Sequence, residues 1–434
     1  MLYYSTKNRD IKASLQEAVV YGLAPDRGLY MPEQIPQLPD TFFKEISGKN
    51  LQEIAAIVAY AFFGDDIDKD SLNQIVANSL NFEIPLKEIE KDIYVLELFH
   101  GPTFAFKDVG ARFMARMLSF FVNERKQDDV KVLVATSGDT GSAVANGFLG
   151  VEGIQVFVLY PSGKVSEMQE AQFTTLGQNI VALEIDGTFD DCQALVKSAF
   201  MDEELNIQFN LTSANSINVA RFLPQSFYYF YAFAQLAKIF DSAETVFSVP
   251  SGNLGNLTAG LFAKQMGLPV KRFIAANNLN DVFFEFLNTG EYKPRPSVQT
   301  IANAMDVGAP SNFERILDLY GGSHEKISRE IKGFSYNDSQ IENTISSLYK
   351  RSGYLLDPHS ACAYRALTEG KEPGEKGIFL ATAHPAKFKD SVERCIDSEI
   401  VIPEDLEKFT KKQKHSFSIQ NNFNIFKKAL INLT

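Results

Sequence analysis

Up to about residue 95 the apolar positions recur mainly with a helical period. Leu51, Ile54, Ala55, Val58 and Phe62 share one face ahead of Gly64, while Leu72, Ile75, Val76 and Leu80 share another behind Ser71, a candidate cap. From about residue 93 the pattern changes to short apolar runs, each followed by a polar loop and a helical stretch. Residues 130–136 (VKVLVAT), 154–160, 179–185, 206–211, 245–249, 271–276 and 377–381 read as buried strands. Residues 110–121, 190–200, 222–233 and 257–266 read as helices, the first with Asp108 as its cap. Phe423, Phe426, Leu430 and Leu433 line one face of a terminal helix that packs back. Such alternation predicts an α/β protein with largely parallel sheets. Ligands of such sheets collect beyond the carboxyl ends of the strands, so the loops at 137, 251 and 382 are the places to look.

Length and charge narrow this picture. A chain of 434 residues exceeds one compact core and predicts more than one domain. Its net charge of −12 and the lack of a basic face exclude a general nucleic-acid surface, and the cluster Lys411, Lys412, Lys414 and His415 reads as a solvated loop. Cys192, Cys362 and Cys395 are odd in number and widely spaced, which argues for a reducing compartment. With no apolar run long enough to span a membrane and no signal-peptide pattern, a cytoplasmic location is expected.

The stretch 98–112, LFHGPTFAFKDVGAR, carries the strongest chemical signal. Lys107 follows Phe104, Ala105 and Phe106, so its amine emerges from an apolar run, a setting that favours the neutral, nucleophilic form. Gly252, Asn253, Leu254, Gly255 and Asn256 form a glycine-bearing strand-to-helix loop, where free amides and the helix dipole suit a phosphate. Ser137, Gly138, Asp139, Thr140 and Gly141 repeat that grammar, and Asn215, Ser216 and Arg221 add a third polar group that Arg221 makes suitable for an anion. Lys164 has a weaker version of the same character. No histidine or cysteine spacing suits a metal, and neither a Walker loop nor a G-x-G-x-x-G fingerprint is present. A lysine beside phosphate-type loops predicts a Schiff base with a phosphorylated aldehyde, and pyridoxal 5'-phosphate fits.

HGPTFAFKD, TSGDTG, SANSIN with Arg221, SGNLGN and TAHPAKF, in this order, resemble the threonine synthase family of fold type II pyridoxal-phosphate enzymes. The resemblance covers nearly the whole chain. It implies two open, largely parallel α/β domains and an extra, mostly helical N-terminal domain. The expected limits are 1–95 for the N-terminal domain, 96–128 with 226–434 for the cofactor domain, and 129–225 for a smaller inserted one. In that family Lys107 would hold the cofactor and then shuttle protons, residues 252–256 would cup its phosphate, and Thr382 would meet the pyridine nitrogen. Ser137, Thr140 and Gly141 would bind the substrate carboxylate. Asn215, Ser216 and Arg221 would receive a substrate phosphate, helped by Lys164 and Thr103. Asp139 stands where broader relatives carry Asn near the cofactor's 3′ oxygen. The implied reaction converts O-phospho-L-homoserine and water to L-threonine and phosphate, with no metal and no obligate protein partner. A serine or threonine ammonia-lyase, or an inert phospholigand-binding homologue, is the alternative.

Overall fold

The computed structural model describes residues 1–125, 130–240 and 244–433. By packing, the chain divides into two units. One comprises Met1 with residues 31–106 and 222–401, the other residues 2–30, 107–221 and 402–434. The domain limit expected at 128 lies outside the described residues. The N-terminal segment is shared between the units, and the C-terminal tail belongs to the second. None of the described helices is long and apolar enough to cross a membrane.

The first unit is built on a six-stranded sheet in the order Ile331–Ser335, Val270–Asn277, Thr245–Pro250, Lys376–Ala381, Ile93–Glu97 and Leu86–Glu90. Every neighbouring pair is parallel except the last. Thr245–Pro250 is buried at every position, as a strand covered on both faces must be. The helix Pro358–Gly370 lies on this sheet, started by the Asp357 cap and a proline at its first position, and Ser248 Oγ donates to the Ala363 carbonyl at 2.7 Å. Val246, Ile274, Phe379, Ala361 and Leu367 form part of the core there. The register has a functional consequence. Ser248 faces Phe379 and Pro250 faces Ala276, so Ser251 leaves the sheet level with Thr382 on one side and Asn277 on the other.

In the second unit all neighbouring strands of a five-stranded sheet are parallel, in the order Phe417–Gln420, Ile180–Asp186, Ile154–Pro161, Val130–Ala135 and Asn210–Ser213. The terminal helix Phe423–Asn432 packs back as its apolar face predicts, with Phe426 and Leu430 buried against Leu133, Phe157 and Leu183. Lys131, fully buried, donates from Nζ to the Leu430 carbonyl at 2.9 Å and lies 3.9 Å above the Phe209 ring. That contact ties the tail to the strand Val130–Ala135, which lies between Ile154–Pro161 and Asn210–Ser213.

Several local expectations are corrected. Residues 206–211 are not one strand. Asp202 caps a short helix, Glu203–Gln208, whose Ile207 faces solvent, and the strand is Asn210–Ser213. The aromatic run near 222–233 is broken at Pro224, which lacks an N–H, into Val219–Phe222, a 3-10 turn and the helix Ser226–Ala237. Asp68, not Ser71, caps the helix Lys69–Ser79. Lys107 opens the helix Lys107–Arg125, so Asp108 lies inside its first turn rather than at the cap. Replacing Phe426 by Ala should destabilise the second unit by about 3–5 kcal/mol, read as a lower urea midpoint, because the cavity opens beneath a fixed sheet.

Candidate active site

In the first unit, the loop after Thr245–Pro250 delivers an unusually bare helix start. Leu254 adopts a left-handed conformation, φ 60°, as the residue preceding the helix Gly255–Gln265, and no side chain caps that helix. Its first amides and its positive dipole end are therefore presented without a protein acceptor from a cap. Gly252 is obligatory, because a Cβ there would sit 2.7 Å from Met305 Cα and 3.1 Å from the Ala304 carbonyl. Asn253 is clamped from outside: its Oδ1 accepts from the Ser311 N–H at 2.6 Å and its carbonyl from Asn312 Nδ2 at 3.0 Å. Asn256 supplies the sharpest clue. The hydroxyls of Tyr228 and Tyr229 donate to its Oδ1 at 2.6 and 2.7 Å, which turns the amide so that Nδ2, buried, has no partner among the described residues. A spare buried N–H donor at an uncapped helix start is what a phosphate group requires, so the residues present fit a phosphorylated cofactor.

Thr382 stands at the carboxyl end of the neighbouring strand, 5% exposed, and its hydroxyl makes no hydrogen bond among the described residues. Its backbone is held on both sides. The N–H donates to Ser360 Oγ at 3.3 Å, and the carbonyl accepts from the N–H of Phe106 at 2.9 Å. His384 N–H donates to the Phe104 carbonyl at 3.0 Å, so residues 104–106 run antiparallel to 382–384. The segment leading into Lys107 is thereby fastened to Thr382. Phe104 takes a positive φ of 57°, a strained choice for an aromatic residue, within this turn. The Thr103 carbonyl accepts from buried Lys387 Nζ at 2.7 Å. His384, packed edge-on against Phe99 and Phe104, has its pKa lowered to about 4 by burial, then by His100.

The second unit gathers most of the other predicted residues. Lys107 is half-buried at the first position of its helix. Three residues on, and on the same helical face, Gly110 lets the Arg221 backbone approach: a Cβ there would lie 2.2 Å from the Arg221 carbonyl oxygen. Arg221 is 3% exposed, its pKa lowered to about 10 by burial, with Asp108 acting in the opposite sense. Asn215 lies on the loop before it, and its buried Oδ1 has no partner among the described residues. Ser216 follows on that half-buried loop. In the other loop, Thr136 Oγ1 accepts from the Gly138 and Gly141 amides at 2.9 and 2.8 Å. Gly141 thus spends its N–H inside the fold, whereas the side chains of Ser137 and Thr140, both half-buried, remain the polar groups this loop offers. Gly138 has φ 138° and presses on Gln169, whose Nε2 donates to Asp139 Oδ1 at 2.9 Å. Lys164 sits apart on an exposed turn.

Sequence reasoning missed the supporting residues. Tyr228 and Tyr229 lie in the aromatic run read only as core, and nothing in their spacing signals two inward hydroxyls. Arg315, fully buried, stacks 4.0 Å over Phe222 and donates to Asn312 Oδ1 at 2.5 Å, which places a cation two hydrogen bonds from the 252–256 loop. Burial lowers its pKa to about 9, with Glu314 acting in the opposite sense. Among the described residues no group of three potential ligands could hold a metal ion.

Family models match along the chain: a pyridoxal-phosphate dependent enzyme model over residues 78–380, a threonine synthase N-terminal model over 2–80 and a threonine synthase C-terminal model over 360–430. Threonine synthase from Escherichia coli is 44% identical over 432 residues, covering 100% of both chains, and its crystal structure superposes with a TM-score of 0.94. The pyridoxal-phosphate-bound threonine synthase from Brucella melitensis is 35% identical, covers 99% of this chain and 98% of its own, and gives a TM-score of 0.92. Threonine synthase from Saccharomyces cerevisiae is 35% identical over 99% of this chain and 97% of its own.

Asn256→Asp keeps the acceptor for both tyrosines but turns a carboxylate oxygen toward the anion. Titration of the apoprotein with pyridoxal phosphate should show affinity falling by about 100-fold. A second expectation concerns acid stability. The His384 pKa is below its unfolded value, so the unfolded chain binds more protons between about pH 6.5 and 4 and stability falls as pH drops through that window. His384→Asn, which retains a capping acceptor, should flatten that acid limb in thermal melts between pH 7 and 4.5.

Proposed function

The chain belongs to the threonine synthase family of pyridoxal-phosphate-dependent enzymes, a family of lyases, and we propose that it converts O-phospho-L-homoserine and water to L-threonine and phosphate. The observation that carries the cofactor reading is the uncapped helix start with the spare Asn256 amide, level in the sheet with the unengaged Thr382 hydroxyl. The observation that favours a phosphorylated substrate is Arg221, a buried arginine whose backbone lies against Gly110, itself one helical turn along from Lys107.

When bound, pyridoxal phosphate supplies an electron sink for carbanions formed on the substrate amino acid. The residues divide the remaining work. The amides of Gly252 to Asn256, with Asn256 Nδ2, bind the cofactor phosphate, and the Thr382 hydroxyl meets the pyridine nitrogen as a neutral partner. Lys107 would hold the cofactor, and its amine is the group that would carry protons at the substrate's Cα, Cβ and Cγ. Its position in the first turn of a helix makes its backbone rigid during those transfers. Ser137 and Thr140 hold the substrate carboxylate through hydroxyls, since the Gly141 amide is already engaged by Thr136. Asn215, Ser216 and Arg221 receive the substrate phosphate, which leaves from Cγ before water adds at Cβ. Arg221 suits this because its guanidinium, already stripped of water, gains most from a doubly charged partner. Asp139, hydrogen-bonded to Gln169, orients its loop. Thr103 is a backbone anchor through Lys387, and the exposed Lys164 is the weakest of the substrate candidates.

The test combines a spectrum with an assay. The purified protein should show the absorbance band of a lysine-bound cofactor that borohydride fixes to Lys107, and O-phosphohomoserine should shift it while phosphate and threonine appear together. A band without turnover would move the reading to another amino acid. Arg221→Ala should raise KM for phosphohomoserine by about 100-fold with the band unchanged, and unchanged kinetics would sink the assignment.

A further inference from the structure

Within the first unit a run of hydrogen bonds from Thr382 to Ala304, completed by the packing of Ala304 and Met305 against Gly252, joins the two places assigned to the cofactor and passes through residues that neither place contains. At one end, the Thr382 N–H donates to Ser360 Oγ at 3.3 Å, and Ser360 Oγ donates to Asp357 Oδ2. Asp357, fully buried, caps the helix Pro358–Gly370, accepting from the His359 N–H at 2.9 Å. Its Oδ1 also lies 2.7 Å from His359 Nδ1. At the other end, His359 Nε2 accepts the backbone N–H of Ala304 at 3.1 Å. Because that amide can only donate, Nε2 is the acceptor nitrogen and the ring proton is on Nδ1, directed at Asp357. Ala304 and Met305 are the residues pressed against Gly252 of the phosphate loop. The turn that carries them is itself braced, Asn278 Nδ2 donating to the Ala302 carbonyl at 3.2 Å and to Asp306 at 2.8 Å. His359 is 2% exposed and its ring rests edge-on against Phe388 at 4.9 Å.

We propose that Asp357 and His359 are positioning residues that set the height of the phosphate loop relative to Thr382, and so fix where the cofactor ring sits. The proposal rests on the cofactor contacts assigned above to Gly252–Asn256 and Thr382. Backbone pairing alone sets the strand ends, but both groups that meet the cofactor lie beyond the sheet, where ladder hydrogen bonds stop. A helix cap and one imidazole supply the missing cross-links, and each link has direction. The His359 end bears on the phosphate, and the Ser360 end bears on the pyridine nitrogen.

The two ends can be cut separately. An Asn side chain places an N–H near the Nδ1 position but nothing at Nε2, whereas Gln places an oxygen near Nε2. His359→Asn should move the 31P resonance of the bound cofactor and weaken pyridoxal phosphate binding by about 10-fold or more, since the Ala304 N–H is left buried without an acceptor. His359→Gln should keep the wild-type 31P resonance and bind within about threefold of wild type. Ser360→Ala should shift the absorbance maximum of the lysine-bound cofactor while leaving the 31P resonance in place. Circular dichroism and thermal melts identify any variant that fails to fold. If His359→Asn does so, Ser360→Ala decides alone, through its effect on absorbance against 31P. The inference is overturned if the folded Asn and Gln variants behave alike, or if Ser360→Ala moves both signals or neither. Failure of wild-type protein to hold pyridoxal phosphate on Lys107 would instead refute the cofactor reading.

Discussion

An uncapped helix start inside a protein leaves several amide donors without acceptors, and that is costly unless an anion meets them. Gly255–Gln265 is such a helix. Much of the first unit's local chemistry follows from keeping its start open. Leu254 turns left-handed to deliver the chain, Gly252 surrenders its side chain to the 302–305 turn, and Tyr228 and Tyr229 claim the oxygen of Asn256 so that only its N–H remains to be used. The parallel register then sets Thr382 level with the same loop, one strand away. A cofactor with a phosphate at one end and a ring nitrogen at the other matches these two offers.

The second unit shows the complementary constraint, a cation rather than a set of amides. Arg221 is buried, and burial works against its charge. Gly110 allows the arginine's backbone to lie against the helix that begins with Lys107, which keeps the guanidinium and the amine on one compact scaffold. The neighbouring loop organises itself around Thr136, whose single hydroxyl ties down two glycine amides and frees the side chains of Ser137 and Thr140. The shared grammar of the 137 and 251 loops conceals this difference: one loop uses its glycine amides internally and the other keeps them available.

The alternation of apolar runs and polar loops determined the α/β class, the parallel sheets and the loops where chemistry belongs, because burial on both faces leaves a strand few residues other than apolar ones. Lys107, Thr382, the 252–256 loop and Arg221 stand out in the sequence as site candidates for a related reason, since reactive, neutral-polar and glycine-rich positions contrast with such runs. Weak strands were not legible. Phe417–Gln420 is largely exposed, and its identity comes from pairing with Ile180–Asp186 rather than from its own pattern. The stretch at 206–211 failed for the converse reason: Asp202 could cap a helix there, and local capping outweighed an apolar-looking run. Only the tertiary structure decided which of two tyrosines' many neighbours would receive their hydroxyls, that Gly141 is internally satisfied, and that His359 and Asp357 stand between Thr382 and the phosphate loop. Those facts depend on groups tens to hundreds of residues apart meeting within about 3 Å. Periodicity reports which face of an element is buried, but it carries no information about which distant polar atom lies opposite.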